Sequence, residues 1–214
     1  RVGSRVHRID VEGKVLGTGK YVDDLDKVDF PEMIYGSAVR SQYPRAIVKA
    51  IHTEKAKALP GVVCVLTADD VPGKNKVGHL KQDWDTMIAV GDTTRYLGDA
   101  ICLVAAETPE ILEQAKALVE VEYEELKPVT CPAEAMEEGA PLVHSTGNIL
   151  SHEHLVRGNA DEVIAASKYK VPRHYETPWT EHAFLEPECA VSLPFDGGVL
   201  IYSTDQGSYD TRHE

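Results

Sequence analysis

The chain has 214 residues, 43% of them hydrophobic, and a formal net charge of −13 from 35 acidic and 22 basic residues. This composition supports packed cores and excludes a disordered polypeptide. The acidic balance, without a lysine/arginine stripe, argues against nucleic acid as a partner. The longest apolar run, Ala100 to Ala106, is far shorter than the roughly 20 residues that cross a bilayer.

The first third of the chain predicts strands joined by short polar segments. Two apolar, partly alternating runs between Met33 and Thr53 predict two strands, and the segment from Thr53 to Leu59 predicts a short helix. The β-branched run VVCVL at 62–66 predicts a strand that is buried on both faces. Residues 73–95 are polar and weakly periodic, which indicates a surface loop with a short strand near Met87 to Val90.

The clearest predicted unit follows this loop. Ala100 to Ala106 has the continuous apolar pattern of a buried strand. Thr108 and Pro109 then suit the N-cap and the first position of a helix. The segment VEVEYEEL, residues 119–126, alternates with period two and predicts an amphipathic strand.

The remaining chain begins with a proline- and glycine-rich stretch at 131–147, which predicts a linker between two domains. Asn159 to Glu162 matches a capping box before a short helix. We expect strands at Tyr169 to Thr177, Ala183 to Leu193 and Val199 to Ser203, the last two joined by a tight turn.

The four cysteines lie far apart and form no CxxC pair: Cys64, Cys102, Cys131 and Cys189. Such spacing favours structural free thiols in a reducing compartment over disulfides or a metal site. We therefore expect a cytoplasmic protein.

The segment LGTGKYVDDLD at 16–26 has the composition, but not the spacing, of a phosphate or cation loop. A P-loop needs glycine five residues before its Gly-Lys pair and Ser/Thr directly after it, where this chain has Lys14 and Tyr21. The aspartates lack the alternating ligands and the sixth-position glycine of a calcium loop. A turn followed by a solvated acidic loop is the favoured interpretation.

Two groups of histidines and carboxylates are further candidates. Three histidines could recruit a divalent metal: His144, His152 and His154. No cysteine or carboxylate accompanies them at a zinc spacing, which favours surface histidines in a linker. His182, Glu186 and Glu188 could share a strand face as a metal or acid/base site, although Pro187 favours a hydrogen-bonded glutamate at a domain junction instead.

Three stretches carry motifs in a distinctive order. Residues 13–73 contain TGKYVDD, RSQYPRAI and ALPGVVCVLTADD. Residues 94–129 contain RYLGDAICLVAAE and VEVEYEELKPV, and residues 177–207 contain EHAFLEPECA and DGGVLIYSTDQG. Together these stretches cover nearly the whole chain, and they resemble the molybdenum-binding subunit of the xanthine dehydrogenase and aldehyde oxidase family.

The resemblance implies an α+β fold. Residues 1–130 would form an α/β hammerhead domain, residues 131–147 the linker, and residues 148–214 the N-terminal part of a molybdopterin-binding domain. Enzymes of this family hydroxylate a carbon next to a heteroatom or carbonyl with oxygen from water. The implied cofactors are molybdenum-molybdopterin in the whole protein, and [2Fe–2S] clusters and FAD on partner subunits or domains.

The resemblance also implies cofactor-binding residues. Gln206 matches a family glutamine whose amide donates a hydrogen bond to an oxo or sulfido ligand of the molybdenum, and Gly207 follows it. Asp205 is inserted or substituted relative to the family's Ser-Thr-Gln motif. No catalytic residue and no metal ligand carries over, because the cofactor loop and the general-base glutamate are expected beyond residue 214.

These implications lead to one function and two alternatives. We expect a fragment of a xanthine dehydrogenase-like hydroxylase that oxidises a purine or related N-heterocycle and forms a homo-oligomer. The fragment itself should be inactive and free of cofactor. An aldehyde or nicotinate-type hydroxylase is one alternative, and a non-catalytic module that docks electron-transfer subunits through its acidic surface and the loop at 73–95 is the other.

Overall fold

The computed structural model describes residues 2–79 and 81–213; Arg1, Leu80 (in the predicted loop at 73–95) and Glu214 lie outside the described residues. The helices are α1 (Val11–Leu16), α2 (Glu54–Lys57), α3 (Pro109–Ala117), α4 (Pro132–Ala135), α5 (Ala160–Ala166) and α6 (Ser208–His213). The strands are β1 (Tyr35–Arg40), β2 (Ala46–His52), β3 (Val62–Leu66), β4 (Lys76–Val77), β5 (Trp84–Asp85), β6 (Ala100–Ala106), β7 (Glu120–Glu125), β8 (Ala190–Phe195) and β9 (Gly198–Ser203). This mixture confirms the predicted α+β class.

All strand pairs among the described residues are antiparallel. The largest sheet has the order β1-β6-β3, and the other sheets are the pairs β2-β7, β4-β5 and β8-β9. The consecutive strands β6 and β7 therefore lie in different sheets. Strand β6 pairs with β1 and β3, whereas β7 pairs with β2.

Strand β6 is largely buried, as predicted, because a separate apolar cluster packs on each face, although Leu103 is 37% exposed. Cys102 and Val104 belong to the cluster beneath α2 and α3. Ile101 belongs to a second cluster with Val48 and Ile88. All five side chains are fully buried. This strand joins the two cores.

Helix α3 begins where the sequence predicts it. The Thr108 hydroxyl accepts a hydrogen bond from the Ile111 amide at 3.3 Å, and Pro109 occupies the first turn. A cap of this kind contributes about 1 kcal/mol. Leu112 and Ala115, three residues apart, are the buried face of the helix.

The period-two prediction for residues 119–126 is confirmed in β7. Val121 and Tyr123 pack against the second core, while Glu120, Glu122 and Glu124 are exposed. This alternation is what a strand with one solvated face requires.

Several local predictions are wrong. Strand β3 exists, but Val63 is 52% exposed because β3 is an edge strand with a register shift at that residue. The segment from Met87 to Val90 is not a strand; Ile88 is buried there, and its amide donates to the Ala100 carbonyl at 2.8 Å. The loop carries the small β4-β5 hairpin instead.

Three predictions in the second half of the chain also fail in part. Helix α5 forms after Asn159, but the Asn159 side chain makes no capping hydrogen bond. The residues from Tyr169 to Thr177 form no strand, because no described strand lies beside them to accept their backbone hydrogen bonds. The strand predicted from Ala183 begins only at Ala190, after Pro187, which has no amide to donate.

The chain divides into two compact units. One comprises Arg1–Pro128 with Leu185–Glu214, and the other comprises Val129–Phe184. The domain boundaries expected near residues 130 and 148 stay a prediction. Among the described residues, no helix combines the length and hydropathy of a bilayer-spanning segment.

Candidate functional site

The candidate cofactor-binding residues lie in a turn between β9 and α6. A tight hairpin leads into this turn: β8 and β9 pair from Ala190–Ser203 to Phe195–Gly198. Asp196 and Gly197 join them with φ angles of 45° and 72°, as a two-residue hairpin turn requires.

Thr204 fixes the end of this hairpin. Its hydroxyl oxygen accepts a hydrogen bond from the Cys189 amide at 2.9 Å and donates to the Pro187 carbonyl at 3.2 Å. Its own amide donates to the Cys189 carbonyl at 3.2 Å. The turn at 205–207 therefore leaves the hairpin from a well-bonded residue.

Asp205 connects the turn to helix α6. Its carboxylate accepts a hydrogen bond from the Thr211 hydroxyl at 2.6 Å. The side-chain hydrogen bonds from Thr211 and Ser203 and the Gly207 amide lower the pKa of Asp205 below its ordinary value. The carboxylate is therefore ionised near neutral pH and binds α6 through Thr211.

Gln206 and Gly207 occupy the apex of the turn. Gln206 is exposed, and its side-chain amide forms no hydrogen bond to a residue within 2–79 or 81–213. The Gly207 carbonyl accepts the amides of Asp210 and Thr211 at 2.8 Å and 3.1 Å. A Cβ atom at Gly207 would lie 2.8 Å from an Asp210 carboxylate oxygen, so the turn is tight around this glycine.

The hairpin and α6 contact earlier parts of the same compact unit. The Val22 amide donates to the Glu186 carboxylate at 3.2 Å, and the Phe30 and Tyr202 rings lie 6.4 Å apart. The His79 ring nitrogen lies 3.1 Å from the Asp210 carboxylate. These contacts connect the residues around the turn to the N-terminal segment.

The donor set at the turn suits an organic cofactor more than a bare metal ion. Gln206 offers an amide that is free to donate, and the absence of a side chain at Gly207 permits the tight turn that follows it. A group of three or more His, Cys, Asp or Glu side chains that could hold a metal does not occur within residues 2–79 and 81–213. The exposed amide of Gln206 is therefore a hydrogen-bond donor without a partner among the described residues, and its role toward a cofactor stays a prediction.

The three histidines considered as a metal site do not form one in the described chain. The His152 and His154 rings lie 6.3 Å apart, and His144 belongs to a different turn, where its carbonyl accepts the Gly147 amide. His152 and His154 are exposed, whereas His144 is half-buried.

The residues His182, Glu186 and Glu188 do not share a strand face, because no strand forms there. His182 stacks on Phe184 with ring centroids 5.3 Å apart, while Glu186 binds the Val22 amide. Glu186 is thus half-buried and hydrogen-bonded, as predicted, while its place at a domain junction stays a prediction.

The segment LGTGKYVDDLD has no phosphate-binding geometry. The Lys20 ammonium is bound by the Asp29 carboxylate at 2.7 Å, and the Asp24 carboxylate accepts the Tyr21 amide at 2.8 Å. Lys20 thus binds a neighbouring carboxylate, and Asp24 and Asp26 accept local backbone amides, which is typical of a turn and an acidic loop.

Two of the sequence motifs meet in space and serve the fold. The Ser41 amide donates to the Asp99 carbonyl at 2.7 Å, and the Gly98 amide donates back to the Ser41 carbonyl at 3.0 Å. The Arg40 guanidinium donates to the Gly98 carbonyl at 3.0 Å. These hydrogen bonds join the RSQYP and RYLGD motifs in the fold.

Sequence reasoning missed a buried ionic cluster in the loop at 73–95. The Asp85 carboxylate contacts both Lys76 and Arg95, although the Asp85 side chain is only 3% exposed. The nearby Asn75 amide binds both backbone groups of Met87, at 2.6 Å and 3.1 Å. The only signal was an aspartate in a polar loop, which does not distinguish a buried residue from a solvated one.

Comparison with known proteins places this architecture in a family. The sequence profile described as "Aldehyde oxidase and xanthine dehydrogenase, a/b hammerhead domain" matches residues 16–127. The chain belongs to the aldehyde oxidase and xanthine dehydrogenase family. The predicted resemblance and the hammerhead fold are thereby confirmed.

Relatives and a solved structure agree with this assignment. The chain is 41% identical to a probable xanthine dehydrogenase subunit of Bacillus subtilis (strain 168), over 99% of this chain and 28% of that protein. It is 35% identical to the nicotinate dehydrogenase large molybdopterin subunit of Eubacterium barkeri, over 98% of this chain and 48% of that one. The aldehyde oxidoreductase from Desulfovibrio gigas superimposes with a TM-score of 0.83 and 27% identity, over 94% of this chain and 23% of that chain. The chain thus spans less than half the length of these proteins.

Proposed function

We propose that this chain is the N-terminal part of the molybdenum-binding subunit of a xanthine dehydrogenase-like hydroxylase. Its substrate would be a purine or a related N-heterocycle, oxidised with water as the oxygen source. The observation that carries the proposal is the 41% identity, across 99% of the chain, to a probable xanthine dehydrogenase subunit. The whole protein would be a cytoplasmic homo-oligomer.

A bound molybdenum-molybdopterin cofactor supplies the two-electron chemistry, and [2Fe–2S] clusters and FAD on partner subunits or domains carry the electrons away. The part of this chain is to position the cofactor. Gln206 is proposed to donate its free side-chain amide to a ligand of the molybdenum, and Gly207 to shape the tight turn that presents this amide. No described residue is proposed as the general base, and the 214-residue chain alone is predicted to bind no cofactor.

Other substrates of the same chemistry define the first alternative. The Eubacterium barkeri relative is a nicotinate dehydrogenase subunit, and the Desulfovibrio gigas structure is an aldehyde oxidoreductase. Turnover of hypoxanthine or xanthine, nicotinate and benzaldehyde by the full-length protein separates the three. A value of kcat/KM highest for the purine supports the proposal.

A docking role without catalysis is the second alternative. It is favoured by the loop at 73–95, in which Asn75 and Asp85 make buried contacts while Trp84 is 55% exposed and packs edge-on against Tyr96. A net charge of −13 would suit a basic partner. This role is compatible with the main proposal if the whole protein also binds the cofactor.

The deciding experiment is metal analysis by mass spectrometry of the full-length protein purified from its host. Molybdenum near one atom per chain supports the hydroxylase, and its absence under conditions where other molybdoenzymes are loaded refutes it. The Gln206→Ala variant should lose about 10-fold or more in kcat, as expected when a group that contacts a cofactor ligand is removed. Gln114→Ala, on the exposed face of α3, is the matched control and should leave kcat unchanged.

A further inference from the structure

The residue that departs from the family motif, Asp205, lies beside the proposed cofactor contact. Its carboxylate binds the Thr211 hydroxyl at 2.6 Å. The residue on the other side of Gln206, Gly207, accepts the Thr211 amide at 3.1 Å through its carbonyl. Both neighbours of Gln206 are therefore held by the same residue in α6.

The bonding leaves Gln206 as the apex of a closed turn. Its two flanking residues cannot move apart without breaking a hydrogen bond to Thr211, whereas its own side chain is exposed and makes no hydrogen bond within the described chain. A short charge-assisted bond such as that of Asp205 is stronger than a neutral one. The turn thus restricts the backbone of Gln206 and leaves its amide available.

We infer that Asp205 is a positioning residue, which fixes the turn through Thr211 so that the Gln206 amide is held ready for the cofactor. This inference rests on the proposed function. It gives the aspartate in the Ser-Thr-Gln motif a structural role, because its carboxylate accepts a hydrogen bond from the following helix.

Four variants of the full-length protein test the inference. Asp205→Ala and Thr211→Val each remove one side of the 2.6 Å hydrogen bond. Asp205→Asn keeps an acceptor oxygen and Thr211→Ser keeps the hydroxyl donor. Glu188→Gln, an exposed carboxylate in the same compact unit, is the charge-matched control.

The expected result is a paired loss and rescue. Asp205→Ala and Thr211→Val should lower kcat about 10-fold with little change in KM and an unchanged molybdenum content. They should also alter the Mo(V) electron paramagnetic resonance signal. Asp205→Asn, Thr211→Ser and Glu188→Gln should retain the parent kcat and spectrum.

A second readout does not need the loaded enzyme. Hydrogen exchange of the peptide covering residues 203–211, in cofactor-free full-length protein, should become about five-fold faster in Asp205→Ala and Thr211→Val, the effect of losing one hydrogen bond. Equal exchange in all variants, or a parent-like kcat and spectrum in both disruptive variants, overturns the inference while the proposed function stands. A parent protein that holds no molybdenum overturns both.

Discussion

The Asp85 carboxylate lies 2.6 Å from the Lys76 ammonium and also accepts a hydrogen bond from the Arg95 guanidinium, in a loop where Asp85 is 3% exposed. Burial alone would raise the pKa of Asp85, but the hydrogen bonds from Lys76 and Arg95 outweigh it and hold the pKa below its ordinary value. The carboxylate is therefore a charged anchor of this loop.

Asp85→Ala should lower the free energy of unfolding by about 2 kcal/mol, because it leaves the half-buried Arg95 without its partner. Since the folded-state pKa of Asp85 is depressed, its stabilising contribution is present above the unfolded-state pKa of about 3.9 and is lost as the pH falls through the folded-state pKa. Urea unfolding of the parent and of Asp85→Ala at pH 7 measures the loss of stability. The same comparison at pH 3 measures how far the contribution of Asp85 falls with pH. The exposed Asp69→Asn is the control, and an equal loss in that variant contradicts the prediction.

His52 should titrate at a higher pH than a free histidine. Its Nε2 lies 2.8 Å from Glu122, whose hydrogen bond and charge raise the pKa of His52 above 6.5. Because the folded-state pKa is the higher one, the pair stabilises the fold fully below pH 6.5 and the benefit is lost as the pH rises through the folded-state pKa.

The measurement is an NMR titration of the His52 ring. Glu122→Gln should bring the pKa back toward 6.5, whereas Glu125→Gln, on the opposite face of β7, should leave it raised. A His52 pKa that stays raised in Glu122→Gln would show that this pair is not the cause.

Gly61→Ala should destabilise the junction before β3 by about 1–3 kcal/mol. Gly61 has a φ of +86°, and a Cβ atom there would lie 2.5 Å from the Ile111 side chain of α3. Gly73→Ala is a matched control, since no atom lies within 4 Å of its Cβ position and its φ is not positive. Urea unfolding that gives equal midpoints for the two variants contradicts this account.

Cys102 should resist alkylation in the folded protein. Burial raises the pKa of its thiol to about 11, so little reactive thiolate is present near neutral pH. Cys131 is exposed and should react first. Timed labelling with iodoacetamide, read by mass spectrometry of the tryptic peptides, checks the order, and about 6 M urea should abolish it. Equal labelling rates before unfolding contradict the prediction.

The parts of the fold that could be predicted from sequence are those determined by neighbouring residues. The start of α3 depends on Thr108 and Pro109, and the face of β7 on strict alternation, so both predictions are confirmed. Strand pairing depends on distant residues. Strands β6 and β7 lie in different sheets because they pair with different strands, and residues 169–177 form no strand because no described strand lies beside them. Local sequence patterns carry no information about such partners.

The same limit applies to the candidate site. The resemblance to a family motif predicts Gln206 as a candidate, but the hydrogen bond from Thr211 to Asp205 spans six residues and matches no capping pattern. Likewise, nothing local to Asp85 shows that Arg95 and Lys76 approach it. Such contacts become visible only once the loops have been placed.

The strand order of the largest sheet, β1-β6-β3, has a consequence for synthesis on the ribosome. Strand β1 has to wait for β6, its neighbour in the sheet, which begins about 60 residues later. At a translation rate of about 5–20 residues per second, β1 would remain unpaired for roughly 3–12 seconds. The apolar strands of the nascent domain are therefore exposed to chaperones during that interval, and slow codons placed between β1 and β6 should increase their capture.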